Sequence, residues 1–93
     1  MQEMKPIRFS PHAESNLFAR EIESSDVEDA IRNPARREGG RFPREIATKA
    51  YFDKKIGSMM LLRVVFEEND QEIAVVTFYK TSKRKKYLSG EKP

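Results

Sequence analysis

The segment MMLLRVVFEENDQEIAVVTFYK, residues 59–80, decides the fold of this chain. Two apolar runs rich in β-branched and aromatic residues flank a short polar stretch, the pattern of a β-hairpin. Asn69 and Asp70 tolerate tight-turn conformations, so they are predicted to form a two-residue loop. The two runs are therefore predicted to be neighbouring antiparallel strands.

Arg63 is the one cation within the first of these runs. With the two-residue loop, the alternation of side chains puts Arg63 and Lys80 on the same face of the hairpin. A buried cation without a partner is costly. Three possibilities follow: Arg63 pairs with a carboxylate such as Glu45, reaches solvent, or binds a phosphate.

The segments on either side extend the hairpin into a sheet. REIATKAYF, residues 44–52, has strand composition and is joined to the hairpin by a short turn containing Gly57, which predicts a third antiparallel strand. ARREGGRF, residues 35–42, is either a further strand with a bend at its glycines or a loop. PIRF, residues 6–9, is predicted to be a short first strand.

Two helices are predicted between the first strand and the meander. Ser10 followed by Pro11 is a helix start, and the first helix is predicted over residues 11–21. Ser25 and Glu28 have the spacing of a capping box, and the second helix ends before Pro34. The predicted fold class is α+β, with two N-terminal helices packed on an antiparallel sheet of three to four strands plus the short first strand.

Composition limits the classes of function. At 93 residues the chain is predicted to be a single domain, 1–93, with an ordered core over about residues 7–88. It has no cysteine and one histidine, so neither a metal site nor a cofactor is expected. No run of 18 apolar residues and no basic-then-apolar leader is present, so we expect a cytoplasmic protein without a membrane partner.

The charge is distributed unevenly. Residues 1–34 hold four basic and seven acidic residues, whereas residues 35–93 hold 14 basic and eight acidic ones. Such asymmetry favours a polyanionic partner for the second half, although solvated, alternating charges explain the same count. Cations and aromatic rings at the C-terminal end suit single-stranded RNA, so the candidate RNA-binding residues there are Lys83, Arg84, Lys85 and Tyr87.

The first helix carries the only histidine. His12, Asn16 and Arg20 recur every four residues and form a polar stripe, in which His12 is a candidate proton carrier and Arg20 a candidate phosphate contact. The alternative is that His12 makes local hydrogen bonds near the helix start. No phosphate-binding glycine loop, two-histidine metal motif or Gly-x-Ser-x-Gly elbow is present, which removes nucleotide hydrolases, metalloproteases and serine hydrolases.

The runs IRFSPHAESNLFAREIESSDVEDAIRNP, LLRVVF and AVVTFYKTSKRKKYL resemble a small uncharacterised family, itself similar to the RelE/ParE toxin superfamily of type II toxin–antitoxin systems. The family opens with Ser-x-His-Ala, ends its first helix in Arg-Gly-Ile and closes on a Val-Thr-x-Tyr strand. Two positions depart from the family pattern: Asn16 stands where Arg is frequent, and Glu21 where Gly is usual. The matching residues within about residues 7–88 are Ser10, His12, Ala13, Arg20, Ile22, Pro34, Val76, Thr77 and Tyr79.

The resemblance implies a RelE-like fold, with two helices on a strongly curved sheet, and a metal-independent endoribonuclease toxin that a cognate antitoxin masks. The expected partner is RNA, either free or bound to the ribosome. The free protein is expected to be a monomer or a small homo-oligomer. Other superfamily members instead poison DNA gyrase, so the resemblance favours fold more than activity. The candidate catalytic residues are His12, Arg63, Tyr79 and Lys80.

Two other classes of function remain open. The same surface is suited to a non-catalytic module that binds RNA, the ribosome or an acidic protein. Alternatively, an exposed edge of the meander pairs with a strand of a partner protein. The arrangement of Arg63 decides the role of the basic tail, the cations from Lys83 to Lys86. If Arg63 and Lys80 converge on an open face, the tail belongs to a site. If Arg63 is buried against an acid, the tail is for solvation or partner docking.

Overall fold

The computed structural model describes residues 4–83. It contains two helices and five strands, in the order β1, α1, α2, β2, β3, β4, β5. Neither helix is long and apolar enough to cross a membrane within this part of the chain. The bounds are β1 Ile7–Phe9, α1 Pro11–Ala19, α2 Ser24–Arg32, β2 Arg36–Gly39, β3 Arg44–Asp53, β4 Ser58–Glu68 and β5 Ile73–Thr81.

The five strands form one mixed sheet in the spatial order β1-β5-β4-β3-β2. The β2–β3, β3–β4 and β4–β5 pairs are antiparallel, whereas β1 lies parallel to β5, with Ile7 opposite Ile73. The predicted antiparallel sheet of three to four strands, and with it the RelE-like architecture, is wrong. The strand at residues 36–39 is the optional fourth strand of that prediction. The first strand joins the same sheet, parallel to β5, and this makes the sheet five-stranded and mixed.

Both helices pack on one face of this sheet, which we call the helix face. Ala13 and Ile22 come from the α1 region, Val27 and Ile31 from α2, and all four are buried. They meet strand residues whose two largest side chains are the rings of Phe66 and Phe78, where each burial stabilises the fold by about 2–3 kcal/mol. The strand residues of this core are Ala47, Leu62, Val64, Phe66, Ile73, Val75 and Phe78.

Helix α1 begins as the sequence predicts and ends two residues early. The Ser10 side chain accepts a hydrogen bond from the Ala13 N–H at 3.1 Å, and Pro11 occupies the first turn. At the other end, the Ile22 N–H donates to the Leu17 carbonyl and Glu21 has a φ of 56°. This is a Schellman ending with a non-glycine residue in the left-handed position.

Helix α2 begins one residue before the predicted cap. Glu23 occupies the N-cap position without a side-chain hydrogen bond, so the predicted Ser25–Glu28 capping box is wrong. The Schellman turn buries Ile22, and only Glu23 separates this residue from the first residue of α2. The apolar positions of α2 still face the sheet, which is why the helix forms where the periodicity predicted it.

The β4–β5 hairpin differs from the prediction in two ways. Its loop spans four residues, 69–72, since Glu68 is paired with Ile73. The Asn69 side chain stabilises this loop by accepting hydrogen bonds from the N–H groups of Gln71 and Glu72 at 2.7 and 2.9 Å. The pairing register also shifts by one between Val65 and Phe66, which leaves Val76 as an extra residue in β5. The loop is longer by two residues, so the side chains of β5 before Val76 lie on their predicted faces. The extra residue Val76 then moves every later side chain of β5 to the opposite face.

Candidate functional site

A row of polar side chains crosses four neighbouring strands in register. Arg36 of β2 lies opposite Thr48 of β3, Thr48 opposite Arg63 of β4, and Arg63 opposite Tyr79 of β5. Because side chains alternate along a strand and the neighbours of Thr48 and Arg63 belong to the helix-face core, this row lies on the opposite, outer face. We call these four residues the polar row.

Arg63 is the centre of the polar row. Its Nε donates to the Tyr79 phenolic oxygen at 2.6 Å, and its Nη1 donates to the Thr48 hydroxyl at 3.2 Å. The guanidinium carbon also lies 5.8 Å from the centre of the Tyr79 ring. With a side chain only 7% exposed, Arg63 is held in one orientation by groups on both neighbouring strands.

Glu38 of the edge strand β2 bridges the two arginines of the row. One carboxylate oxygen lies 3.0 Å from Arg36 Nε, and the other lies 3.1 Å from Arg63 Nη2. Of the three possibilities for Arg63, pairing with a carboxylate is the one observed, and that carboxylate is Glu38 and not Glu45. Glu45 pairs instead with Arg37 at 2.8 Å on the helix face.

Glu38 was not among the predicted site residues, because residues 35–42 could be either a strand or a loop and a loop does not fix the face on which a side chain lies. The signal was the spacing of Arg36 and Glu38, since two residues apart on a strand lie on one face. The strand alternative for this segment is confirmed by β2. Once the segment is a strand, its two charged side chains belong with Thr48 and Arg63.

The arrangement provides an oriented cation beside a phenol. Arginine has donors in a planar fork that suits phosphate and carboxylate oxygens, and here the packing already fixes the fork of Arg63. Since the Tyr79 oxygen accepts a hydrogen bond from Arg63, its own O–H remains directed elsewhere and can donate. An anion seated at Arg63 would therefore meet a cation and a hydroxyl donor together.

Lys80 is not part of the polar row, so the prediction that it shares a face with Arg63 is wrong. The bulge at Val76 turns Tyr79 to the outer face and Lys80 to the helix face. There the Lys80 ammonium lies 2.7 Å from the Asp53 carboxylate, and the Asp53 side chain is only 2% exposed. Lys80 therefore neutralises a buried acid.

Asp53 has an environment that stabilises its charged form. Its Oδ2 accepts hydrogen bonds from Lys80 and, at 2.8 Å, from the Tyr51 hydroxyl, while the backbone N–H groups of Lys55 and Ile56 donate to Oδ1. The Lys80 hydrogen bond is the main cause that lowers the pKa of Asp53 to about 2. Burial and the same carboxylate raise the pKa of Tyr51. This cluster fixes the β3–β4 turn to the end of β5.

His12 is also remote from the polar row. It is exposed on α1, where its Nε2 lies 3.2 Å from the Asn16 side-chain nitrogen, the local hydrogen bond that the sequence offered as an alternative. Ala13 beside it packs into the helix-face core, so α1 and Arg63 lie on opposite sides of the sheet. The four candidate catalytic residues thus occupy three places, and only Arg63 and Tyr79 are together.

The candidate RNA-binding residues are only partly described. Arg20 is exposed just after α1, as its C-cap, so the predicted stripe with His12 and Asn16 does not continue within the helix. Lys83 is exposed beyond β5, where its N–H donates to the Thr81 hydroxyl at 3.1 Å. Arg84, Lys85 and Tyr87 lie outside the described residues.

A concavity of 760 Å³ lies away from the polar row, between the end of α1 and the β3–β4 turn. Phe18 and Phe52 contribute exposed rings there, 89% and 56% exposed, and Tyr51 and Asp53 line its floor. Two pairs form within the lining, Tyr51 with Asp53 and Glu21 with Lys55. Burial and the neighbouring carboxylates Glu23 and Asp29 raise the pKa of Asp26, another acid of the lining. We take the polar row as the candidate site because Arg63, a cation fixed by two hydrogen bonds, lies beside the Tyr79 hydroxyl there.

Comparisons with protein-family models, curated proteins and solved structures give no match to this chain. The similarity to the toxin superfamily accordingly stays a prediction from the quoted sequence motifs.

Proposed function

We propose that this chain is a metal-independent endoribonuclease that holds RNA on the outer face of its sheet, with the scissile phosphate at Arg63. The observation that carries the proposal is the 2.6 Å contact between Arg63 Nε and the Tyr79 hydroxyl within a row of polar residues on four strands. A fixed cation can stabilise the charge of the phosphorane, and a hydroxyl donor can protonate the leaving oxygen.

In the proposed reaction, the ribose 2′-hydroxyl attacks the adjacent phosphorus and releases its proton to solvent. Arg63 neutralises the charge that develops on the phosphorane oxygens. Tyr79 donates its proton to the departing 5′-oxygen, which leaves a 2′,3′-cyclic phosphate and a 5′-hydroxyl. The resulting phenolate then takes up a proton from solvent. A preorganised donor of this kind is worth about 3–4 kcal/mol of transition-state stabilisation.

The excess of basic residues in the second half of the chain favours an RNA partner. Because Arg63 is nearly buried against Glu38, the C-terminal cations are expected to serve solvation or partner docking and not the site itself, and here we assign them to docking of RNA. Lys83 lies exposed shortly after Tyr79 on the same segment, and further cations follow it in the sequence. Lysines at such a position would contact backbone phosphates without reading the bases. The proposed setting is the cytoplasm, and the motif likeness adds a cognate antitoxin as the proposed protein partner.

The test is cleavage of a single-stranded RNA by purified protein in excess EDTA. We expect cleavage by the wild-type chain and a loss of at least about 100-fold in Arg63→Met and Tyr79→Phe variants that retain a cooperative unfolding transition. The matched control is Arg37→Met, which removes an arginine from the helix face. Intact RNA with pure wild-type protein would overturn the proposal.

A second candidate is a non-catalytic module that binds RNA on the same face. The ion pair of Arg63 with Glu38 favours it, because a guanidinium that is already paired with a carboxylate stabilises a developing phosphorane charge less well, whereas the exposed Lys83 can still contact RNA. This candidate predicts binding that weakens with salt according to the number of phosphates contacted, with no product formed. A salt titration of RNA binding beside the cleavage assay separates the two candidates.

A further inference from the structure

Two arginines from different strands meet on a single carboxylate at the outer face. Arg36 Nε and Arg63 Nη2 lie 3.0 and 3.1 Å from the two separate oxygens of Glu38. A phosphodiester offers two oxygens of the same kind, and arginine binds both groups through the same fork of N–H donors. The position of the Glu38 carboxylate is thus a position that suits a phosphate.

We propose that Arg36 and Arg63 form a two-arginine phosphodiester site, and that Glu38 is the internal ligand that occupies it in the free protein. The proposal deepens the proposed function, on which it rests for the identity of the ligand as RNA. It adds Arg36 as a second phosphate contact and Glu38 as a competitor that RNA must displace.

The sheet register explains why the two arginines converge. Arg36 and Arg63 both lie opposite Thr48, from its two sides. Adjacent strands are about 4.8 Å apart, so the two backbones are about 10 Å apart and two long side chains on one face can reach a common anion. Thr48 fills the space between them and accepts a hydrogen bond from Arg63.

The three charged groups differ in how firmly they are held. Arg63 is 7% exposed and fixed by Tyr79 and Thr48, whereas the side chains of Arg36 and Glu38 are 37% and 30% exposed. The Arg36–Glu38 pair has this much solvent contact on both sides and is weak. The Arg63–Glu38 pair involves a nearly buried guanidinium, so its carboxylate is best replaced by another anion, such as a phosphate. The fixed partner of the site is therefore Arg63, and the displaceable one is Glu38.

Glu38 lies on β2, the edge strand, where its side chain can leave the two arginines without disturbing the central strands. Strand β2 has only four residues, forms one edge of the sheet, and ends at Gly39 with Gly40 directly after it. A rotation of the Glu38 side chain towards solvent requires no movement of β3 or β4. The same rotation removes one negative charge from beside the two arginines.

The test measures anion binding without cleavage. A short single-stranded DNA, which has no 2′-hydroxyl, and inorganic phosphate are each titrated into the full chain, and the dissociation constants are compared among variants. We expect Glu38→Gln to bind the DNA about five- to tenfold more tightly than wild type, because the competing charge is removed. Arg36→Gln is expected to bind it about fivefold more weakly.

The matched control is Glu45→Gln, which makes the same charge change on the helix face, where Glu45 pairs with Arg37. Tighter binding in Glu38→Gln but not in Glu45→Gln supports the site. Equal gains in both variants, no detectable binding in any variant, or a gain for inorganic phosphate alone overturns the proposed phosphodiester site. This binding measurement does not depend on cleavage. If the protein does not cleave RNA but Glu38→Gln still binds the DNA more tightly, the endoribonuclease proposal is wrong and the phosphodiester site is still supported.

Discussion

Arg63 and Tyr79 face each other across β4 and β5, and the Nε of Arg63 lies 2.6 Å from the Tyr79 phenolic oxygen. The next residue, Lys80, lies on the other face and pairs with Asp53. Two adjacent residues therefore have separate tasks: Tyr79 completes the polar row, and Lys80 stabilises the fold.

Tyr79→Phe should lower the free energy of unfolding by about 1–2 kcal/mol, because a nearly buried arginine loses a hydrogen-bond acceptor. Urea denaturation measures this change. A double-mutant cycle with Arg63→Met isolates the pair, and we expect a coupling of about 1 kcal/mol. Additive effects of the two substitutions would contradict the contact.

Lys80→Met should lower the free energy of unfolding by about 2 kcal/mol or more, because the Asp53 carboxylate is left buried without its cation. The double variant Asp53→Asn with Lys80→Met should recover part of this loss, since it removes the stranded charge. Thermal unfolding of the three variants measures both effects. A double variant less stable than Lys80→Met alone would argue against the buried pair.

Acid should weaken the fold through Asp53. Its folded-state pKa is lowered to about 2 from an ordinary value of 3.8, so its contribution is present above about pH 5 and is lost as the pH falls towards 2. We expect this carboxyl to account for about 1–2 kcal/mol of the loss. Asp53→Asn should flatten the dependence of unfolding free energy on pH in this window. An unchanged slope in that variant would contradict the assignment.

Glu21→Gly should stabilise the protein by about 0.5–1 kcal/mol, because glycine adopts the left-handed conformation of the α1 ending without the steric cost that a Cβ imposes. The control Glu21→Ala keeps the Cβ and removes only the exposed ion pair of Glu21 with Lys55. We expect little change in the control. A melting temperature raised equally by both substitutions would show that charge, and not backbone conformation, is the cause.

Local chemistry made much of the secondary structure predictable. Ser10 caps α1 because a hydroxyl beside a proline satisfies a free N–H, and this signal needs only neighbouring residues. The strands beginning at Arg44, Ser58 and Ile73 follow from their own composition. By contrast, β1 lies parallel to β5, a pairing between distant segments that no local pattern specifies.

The candidate site was harder to predict, because one residue decides it. The bulge at Val76 exchanges the faces of Tyr79 and Lys80, and nothing in the composition of β5 marks it. Arg63 was identified correctly as a cation that needs a partner, and the alternative of a buried arginine against an acid is the one observed. Glu38 was missed because its segment became a strand only through pairing with β3.

The most direct measurement compares RNA cleavage in excess EDTA by the adjacent variants Tyr79→Phe and Lys80→Met, each at a temperature where it is folded. We predict that Tyr79→Phe loses at least about 100-fold in rate, and that Lys80→Met stays within about threefold of wild type. Loss of cleavage in Lys80→Met with retention in Tyr79→Phe, or intact RNA with the wild-type chain, would contradict the account.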